Sequence, residues 1–511
     1  MNAITRKRLI QRKQRIGHRL RKIQWPDQPR PMLAARVIRY EVAERARGVA
    51  CGGIGAMHRL ALRTGLVEAI DRNLRLLKRH LPYHESDHVL NMAYNILAGG
   101  TCLEDLERRR TDEAYLDGLG ASRIPDPTTA GDFCRRFTEA DVETLMDTIN
   151  EVRLGVWRRQ PPAFFERAVI DADGTLAPTF GQCKEGMDLS YKGQWGYHPL
   201  VVSLANTGEP LYLVNRSGNR PSSEGAAARL DQSIALSRRA GFKKVLLRGD
   251  TDFTQTGELD RWDSGGVAFV FGIDAMANLV EKAEELPRSA WQRLVRPPKY
   301  EVRTPERARP ENVKERIVKE RQFENVRLES EAVAEFAYRP TKCRRAHRVV
   351  VLKKNLAVEK GQARLFDDVR YFFYITNDRA RLPEEIVGEA NGRANQENLI
   401  EQLKNGARAM EMPVGALVSN GAYLVMASLA WTLKAWLALG LPEGGRWHER
   451  RRAEKQTVLR MEFKKFVNEL MRVPCQIVRT GRRIVYRLLG WTPWLGVLVR
   501  SAEALGRPMR C

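Results

Sequence analysis

The chain has 511 residues, 43% of them hydrophobic, too many for one core and too apolar for general disorder, so three or four structural units are expected. With 86 Lys and Arg against 62 Asp and Glu, its formal net charge is +24. A positive field of that size selects a polyanion, nucleic acid by default, and the length excludes the short ribosomal and membrane-surface classes.

In chain order, residues 1–22 hold nine Lys or Arg and no acid, which predicts a phosphate-binding arm ended by Trp25-Pro26. Residues 40–157 show helical apolar spacing in EVAERARGVA, in MHRLALRTGLVEAIDRNLRLLKR, in HVLNMAYNILAGG and in EADVETLMDTINEVRLGVW. IPDPTTAGDFCRRF, 124–137, reads as a turn and N-cap before a short helix, with a weak helix-turn-helix signal. From about 164 the pattern changes to strands: FFERAVIDADGT, then a hairpin of YHPLVVSLA and EPLYLVNRS around Asn206-Thr207-Gly208. A helix over about 224–241, closed by Gly241, precedes the strands KKVLLRGD and VAFVFGIDA. A basic, irregular stretch with short strands, HRVVVLKKN and VRYFFYITN, reads as an insertion. The tail 446–511 carries sixteen Lys or Arg against five acids, in basic helices or ribbons.

The expected division is a basic arm and helical DNA-binding region over 1–163, a catalytic core in two parts over 164–276 and 378–441, an insertion over 277–377, and a basic C-terminal region over 442–511. The apolar run 414–433 is interrupted by Gly415, Ser419, Asn420 and Gly421, which predicts a buried helix behind the 391–406 segment rather than a membrane span. The seven cysteines, Cys51, Cys102, Cys134, Cys183, Cys343, Cys475 and Cys511, form no C-x-x-C pair, and no apolar signal segment opens the chain. Reduced thiols, a cytosolic setting and no zinc ribbon are expected.

Three places carry candidate chemistry. In IDADGT, alternation puts Asp171 and Asp173 on one face at the end of an apolar strand. Two acids there cost desolvation unless a cation sits beside them, and magnesium favours such oxygen ligands. In LLRGDTDF, Asp250 follows a second strand, with Asp252 two residues on, and strand-terminal loops are where open α/β sheets place ligands. In NGRANQENLIEQLKNG, 391–406, a helix capped by Asn391 would bring Arg393, Glu397 and Lys404 within about 40° of one another. That stripe reads either as a solvated salt-bridge ladder or as a metal-binding carboxylate between two phosphate clamps. HESDH, 84–88, matches the zinc-protease pattern H-E-x-x-H, but no third ligand follows, so a chance match is expected, with Ser86 and Asp87 as helix caps. Trp262 and Trp291 are read as core packing against the alternative of holding a flipped base.

Taken together, Asp173-Gly174-Thr175, the block YKGQWGYHPLVVSLANTGEPLYLVNRSGNRPSS, Arg248-Gly249-Asp250-Thr251-Asp252-Phe253 and the R-x3-E-x6-K set Arg393, Glu397 and Lys404 resemble a DDE transposase of bacterial insertion sequences. The resemblance covers roughly 40–490 and is to the insertion-sequence-1380 family, in the branch with a Tyr-Arg-Glu-Lys signature. It implies an α/β chain with a ribonuclease-H-like core, Asp173, Asp250 and Glu397 as metal-binding triad, and Arg393 and Lys404 as DNA-phosphate clamps. Asp171, Asp252 and Glu401 are the neighbouring acids held in reserve. Ala390 stands where the signature has Tyr, which leaves one phosphate contact and any hairpin step without its residue.

The resemblance further implies Mg2+, with Mn2+ able to substitute, two-metal phosphodiester chemistry, binding of terminal inverted repeats and target DNA, a homodimer in the DNA complex, no membrane, and a bacterial, nucleoid-associated cytoplasmic setting. Two other functions stay open: a structure-specific nuclease on the same fold, and a catalytically inactive DNA-binding protein.

Overall fold

A computed structural model describes residues 3–19, 47–80, 82–179, 181, 183–296, 316–317, 321, 324–360, 363–480 and 483–506. Parts of the basic arm and of the insertion lie outside the described residues.

The first helix, α1 (Ala3–Arg19), is exposed and cationic, and it leans on the C-terminal end of the chain: Arg12 donates to the carbonyls of Leu488 and Gly490 at 2.6 and 2.9 Å. Next comes a two-residue strand, β1 (Gly48–Val49), where EVAERARGVA predicts helix. It pairs with residues 475–476, and that distant partner overrides the local periodicity. Helices α2 (Ile54–Thr64) and α3 (Leu66–Asn73) supply the helical spacing of MHRLALRTGLVEAIDRNLRLLKR as two helices that meet at Gly65. Gly65, at φ 76, caps the first with its N–H on the carbonyls of Ala61 and Leu62, a conformation that only glycine adopts cheaply. The helical region continues with α4 (Glu85–Leu97), α5 (Asp105–Arg110), α6 (Glu113–Leu119), α7 (Pro127–Cys134) and α8 (Glu139–Trp157). Asp126 caps α7 by accepting from the Thr129 N–H at 2.8 Å, as the sequence anticipates.

The strand region follows the expected order. It comprises β2 (Ala168–Gly174), the short β3 (Ala177–Pro178), β4 (Asp188–Leu189) and β5 (Trp195–Tyr197), the hairpin β6 (Leu200–Leu204) and β7 (Glu209–Val214), helix α9 (Ala226–Ala240), β8 (Val245–Gly249), α10 (Leu259–Ser264) and β9 (Ala268–Ile273). The insertion gives α11 (Ala277–Glu284), β10 (Gln292–Arg293), and three long strands, β11 (Glu324–Tyr338), β12 (His347–Lys360) and β13 (Ala363–Thr376). These do not form a sheet apart. Strand β13 pairs antiparallel with β9, so one nine-stranded mixed sheet runs β10-β11-β12-β13-β9-β8-β2-β6-β7. Within it β2, β8 and β9 are parallel, and β6 lies antiparallel to β2.

After the sheet come α12 (Pro383–Asn391), α13 (Ala394–Glu401), a π-helical turn at Gln402–Gly406, the long α14 (Leu417–Leu439), α15 (His448–Arg460), α16 (Phe463–Phe466), the ribbon β14 (Cys475–Thr480) and β15 (Arg483–Leu488), and α17 (Leu495–Gly506). Helix α14 is apolar and long enough to cross a membrane, yet its whole apolar window is buried. It packs on α4, α8, α15 and β7 rather than behind the 391–406 segment as expected.

Buried Glu209, on β7, ties these layers together. Its carboxylate accepts from Arg153 Nε at 3.0 Å, Trp157 Nε1 at 2.9 Å and Trp436 Nε1 at 2.8 Å, so α8, β7 and α14 share one saturated charge. Trp262 is 2% exposed with its N–H on Asp231, and Trp291 packs beside Tyr371 under the Lys353 ammonium; both contribute packing.

Candidate active site

Strands β2 and β8 run parallel with Asp171 opposite Arg248. Register partners in a sheet share a face, and the Arg248 guanidinium grips both Asp171 oxygens, at 2.7 and 2.8 Å. Asp171 is 0% exposed, so both its oxygens are used and water does not reach it. Burial pushes its carboxyl up, and the guanidinium opposes that shift. Arg248 also donates to the Glu389 carbonyl and to its carboxylate, both at 3.1 Å, and Arg381 and Arg167 close on the other Glu389 oxygen. A chain of fixed charges thus fastens α12 to the strands.

Two residues along β2 the situation differs. Asp173 lies at the strand's C-terminal end, and Asp250 begins the loop after β8. Asp250 caps a short 3-10 turn by accepting from the Asp252 N–H at 3.1 Å. Arg393 reaches in from the start of α13: its guanidinium lies 3.1 Å from Asp173, 3.8 Å from Asp250 and 3.3 Å from Glu397. Three carboxylates from two strand ends and one helix therefore share a single guanidinium. Burial pushes Asp173 up to about 7, with Arg393 opposing and the charges of Asp250 and Glu397 adding to the rise. Burial also raises Asp250, against the pull of Arg393. The Glu397 side chain is 64% exposed, so the cluster opens to solvent on that side.

The helix bearing Arg393 and Glu397 departs from the expected geometry. Asn391 ends α12 instead of capping the next helix, Gly392 makes the break, and Arg393 stands at the N-cap position of α13. The break admits the Arg248 guanidinium, which a side chain at residue 392 would strike. Between Arg393 and Glu397 lies Gln396, 1% exposed, which the sequence reading missed. Its amide donates to the Val201 carbonyl at 2.9 Å and its oxygen accepts from the Ser203 hydroxyl, so α13 is bolted to β6 next to the carboxylates. The signal was present: a polar residue on the same helical face as Leu399 and Leu403, both of which are buried.

Lys404 falls in the π-helical turn, where uniform α-helical spacing does not hold. Burial lowers its pKa, while the charges of Glu401 and Asp173 support the ammonium and that of Lys192 opposes it. Glu401 is exposed and accepts from the Asn405 amide at 2.7 Å, and Asp252 is exposed beside Asp250. Among the described contacts neither reserve acid touches Arg393. The H-E-x-x-H pair is split: His84 precedes α4, while His88 is buried and stacked on Phe133 at 4.2 Å. Asp87 does cap α4 through the His84 N–H, but Ser86 instead bonds Asp71 through both its N–H and its hydroxyl.

The loop from β4 to β5 presents Tyr191, 79% exposed, and Lys192, and Trp195, 55% exposed, opens β5 just after it. Both aromatics lie in the block YKGQWGYHPLVVSLANTGEPLYLVNRSGNRPSS, but the sequence reading assigned neither a role.

Hard carboxylate oxygens converging from separate elements, with one cation for three acids, are a donor set suited to divalent magnesium. The profile of the family described as transposase DDE domain group 1 matches residues 45–509. No curated protein sequence matches the chain. Among solved structures, a piggyBac transposase synaptic complex with hairpin DNA aligns over 82% of this chain and 81% of that one at 10% identity. Its TM-score is 0.32. The family match spans nearly the whole chain, and the chain belongs to the DDE transposases, metal-dependent DNA-cleaving enzymes of transposition and DNA recombination.

Proposed function

We propose that this chain cuts the ends of its own mobile element and joins the 3′ ends to target DNA, with Asp173, Asp250 and Glu397 as the metal-holding triad. The observation that carries the reading is the meeting of these three carboxylates at Arg393, open to solvent on the Glu397 side. Asp173, Asp250 and Glu397 would hold magnesium, which would supply activation of a water or 3′-hydroxyl nucleophile and stabilisation of the leaving oxygen.

The chain's own residues do the rest. Asp173 and Asp250, fixed at strand ends, define the floor of the site, and Glu397 closes it from α13. Gln396 and the Asp171–Arg248–Glu389 chain hold that helix in register, so the carboxylates are positioned without further ordering. Arg393 offsets part of the charge of the three acids. Once they are neutralised otherwise, its guanidinium is free to take a DNA phosphate in a forked hydrogen bond. Lys404 and Lys192 add charge for the flanking phosphates, and Tyr191 and Trp195 offer ring faces on which an unpaired terminal base can stack. The strand order β7-β6-β2-β8-β9, with three parallel strands, supports a ribonuclease-H-like core.

The insertion-sequence-1380 affiliation, a bacterial, cytoplasmic setting and a homodimer on inverted repeats extend the same reading. The net charge of +24 supports a long DNA footprint. The test is to incubate the purified chain with magnesium and a plasmid carrying the DNA that flanks its gene. A transposase releases 3′ ends at short inverted repeats and joins them to a second plasmid. Cleavage without joining marks a nuclease, and binding without cleavage marks an inactive DNA-binding protein.

A further inference from the structure

A second group of ligating side chains lies away from the triad, where the insertion meets the core. Cys343 and His347 flank the turn that enters β12, spaced C-x3-H, and Asp260 faces them from α10. One ligand atom from each lies within 4.8 Å of the others. The His347 side chain is 2% exposed and Cys343 is buried. The Asp260 carboxylate is already aimed: one oxygen accepts the Arg344 N–H at 2.5 Å, which leaves the other facing His347 Nε2 at 2.9 Å. The Cys343 sulfur sits 3.1 Å from the Thr256 carbonyl.

We propose that Asp260, Cys343 and His347 form a zinc site that fastens the β11–β12 turn of the insertion to α10. One thiolate, one imidazole and one carboxylate are a borderline-soft set that suits zinc and not magnesium or calcium. Bond lengths of about 2.0–2.3 Å to zinc ask the three ligand atoms to draw together by roughly 1 Å, a side-chain adjustment. The fourth position is left to water. Binding releases the Cys343 thiol proton to solvent, the His347 Nε2 proton moves to Nδ1 by a change of tautomer, and the His347–Asp260 hydrogen bond gives way to two ligand bonds. The site does not depend on the transposase chemistry, and α10 follows the loop that carries Asp250, so its role is to fix the insertion against that loop.

The test is metal analysis of the full chain, purified without added metal and without a histidine tag. The expected result is about one zinc per chain, lost with a zinc-selective chelator, and affinity lowered about 10- to 100-fold or more in Cys343→Ser, His347→Gln and Asp260→Asn. Cobalt substitution is expected to give a thiolate charge-transfer band that Asp260→Asn shifts. Circular dichroism establishes which variants fold. If Cys343→Ser and His347→Gln unfold, the wild-type cobalt band and its response to Asp260→Asn decide. A folded chain with neither zinc nor that band overturns the site. So does zinc that survives Cys343→Ser but is lost in His80→Ala, which would move it to the His80, His84 and Glu85 group.

Discussion

Asp171 and Asp173 are two residues apart on one strand, yet they belong to opposite kinds of electrostatics. Asp171 is buried, gripped at both oxygens by one arginine, and linked through it to Glu389, Arg381 and Arg167. Asp173 shares one guanidinium with two other acids, and its carboxyl is pushed up to about 7. A saturated charge fixes structure because nothing remains to bind. An under-compensated one near the surface retains free energy for a ligand, and the first network holds the second in place.

The largest break in this contrast is expected from Asp173→Asn, Asp250→Asn or Glu397→Gln. Each should lower magnesium-dependent cleavage by at least about 10⁴-fold, on the order of 5–6 kcal/mol, with DNA binding and folding stability nearly unchanged. Retained cleavage in one variant removes that residue from the triad and points to Asp252 or Glu401 instead.

Next in size is the saturated side. Asp171→Ala leaves Arg248 buried with half its partners, a cost of about 3–5 kcal/mol in urea or guanidinium unfolding. A loss below about 1 kcal/mol would mean that water enters and the two aspartates are less different than their surroundings indicate.

A third buried charge grades the comparison. Lys434 is 0% exposed, donates to the Leu459 carbonyl at 2.9 Å, and lies 3.7 Å above the Trp431 ring, with no carboxylate partner among the described residues. Burial lowers its pKa to about 7. Between that value and the unfolded one, near 10.4, the unfolded chain binds a proton that the native chain does not. Stability should therefore fall as pH drops from about 10 to 7 and level off below, by roughly 2–3 kcal/mol between pH 9 and 7. Lys434→Met should flatten that slope and raise stability at pH 7. An unchanged slope would show that the carbonyl and the ring suffice to hold the ammonium.

Arg393→Ala and Lys404→Ala should weaken DNA-end positioning by about 1–3 kcal/mol each. Arg393→Ala should also tighten magnesium in calorimetric titration, because the competing cation is gone. If magnesium binding is unmoved, the guanidinium does not stand in for the ion. The smallest effect is expected for Tyr191→Ala and Trp195→Ala, about 1 kcal/mol each in binding of a frayed end and none for intact duplex. Equal losses on both would assign the loop to general packing.

The sequence by itself pointed to a polyanionic partner, to the order strand, hairpin, helix, strand, strand over 164–276, and to a short set of candidate acids near one arginine. Charge, alternation and spacing are local properties, and the strand-end positions of Asp173 and Asp250 follow from them. Tertiary structure alone decided which acid was spent. Asp171 and Asp173 are equivalent by alternation, and only the parallel register with β8 gives Asp171 to Arg248. It also decided the break at Gly392, the π-turn under Lys404, the pairing of Gly48–Val49 with a strand more than four hundred residues away, and the joining of the insertion to the core sheet. The reason is the same in each case. Sequence periodicity fixes which face a residue takes, but the partner on that face comes from another part of the chain, and the partner decides whether a charge is structural or free to react.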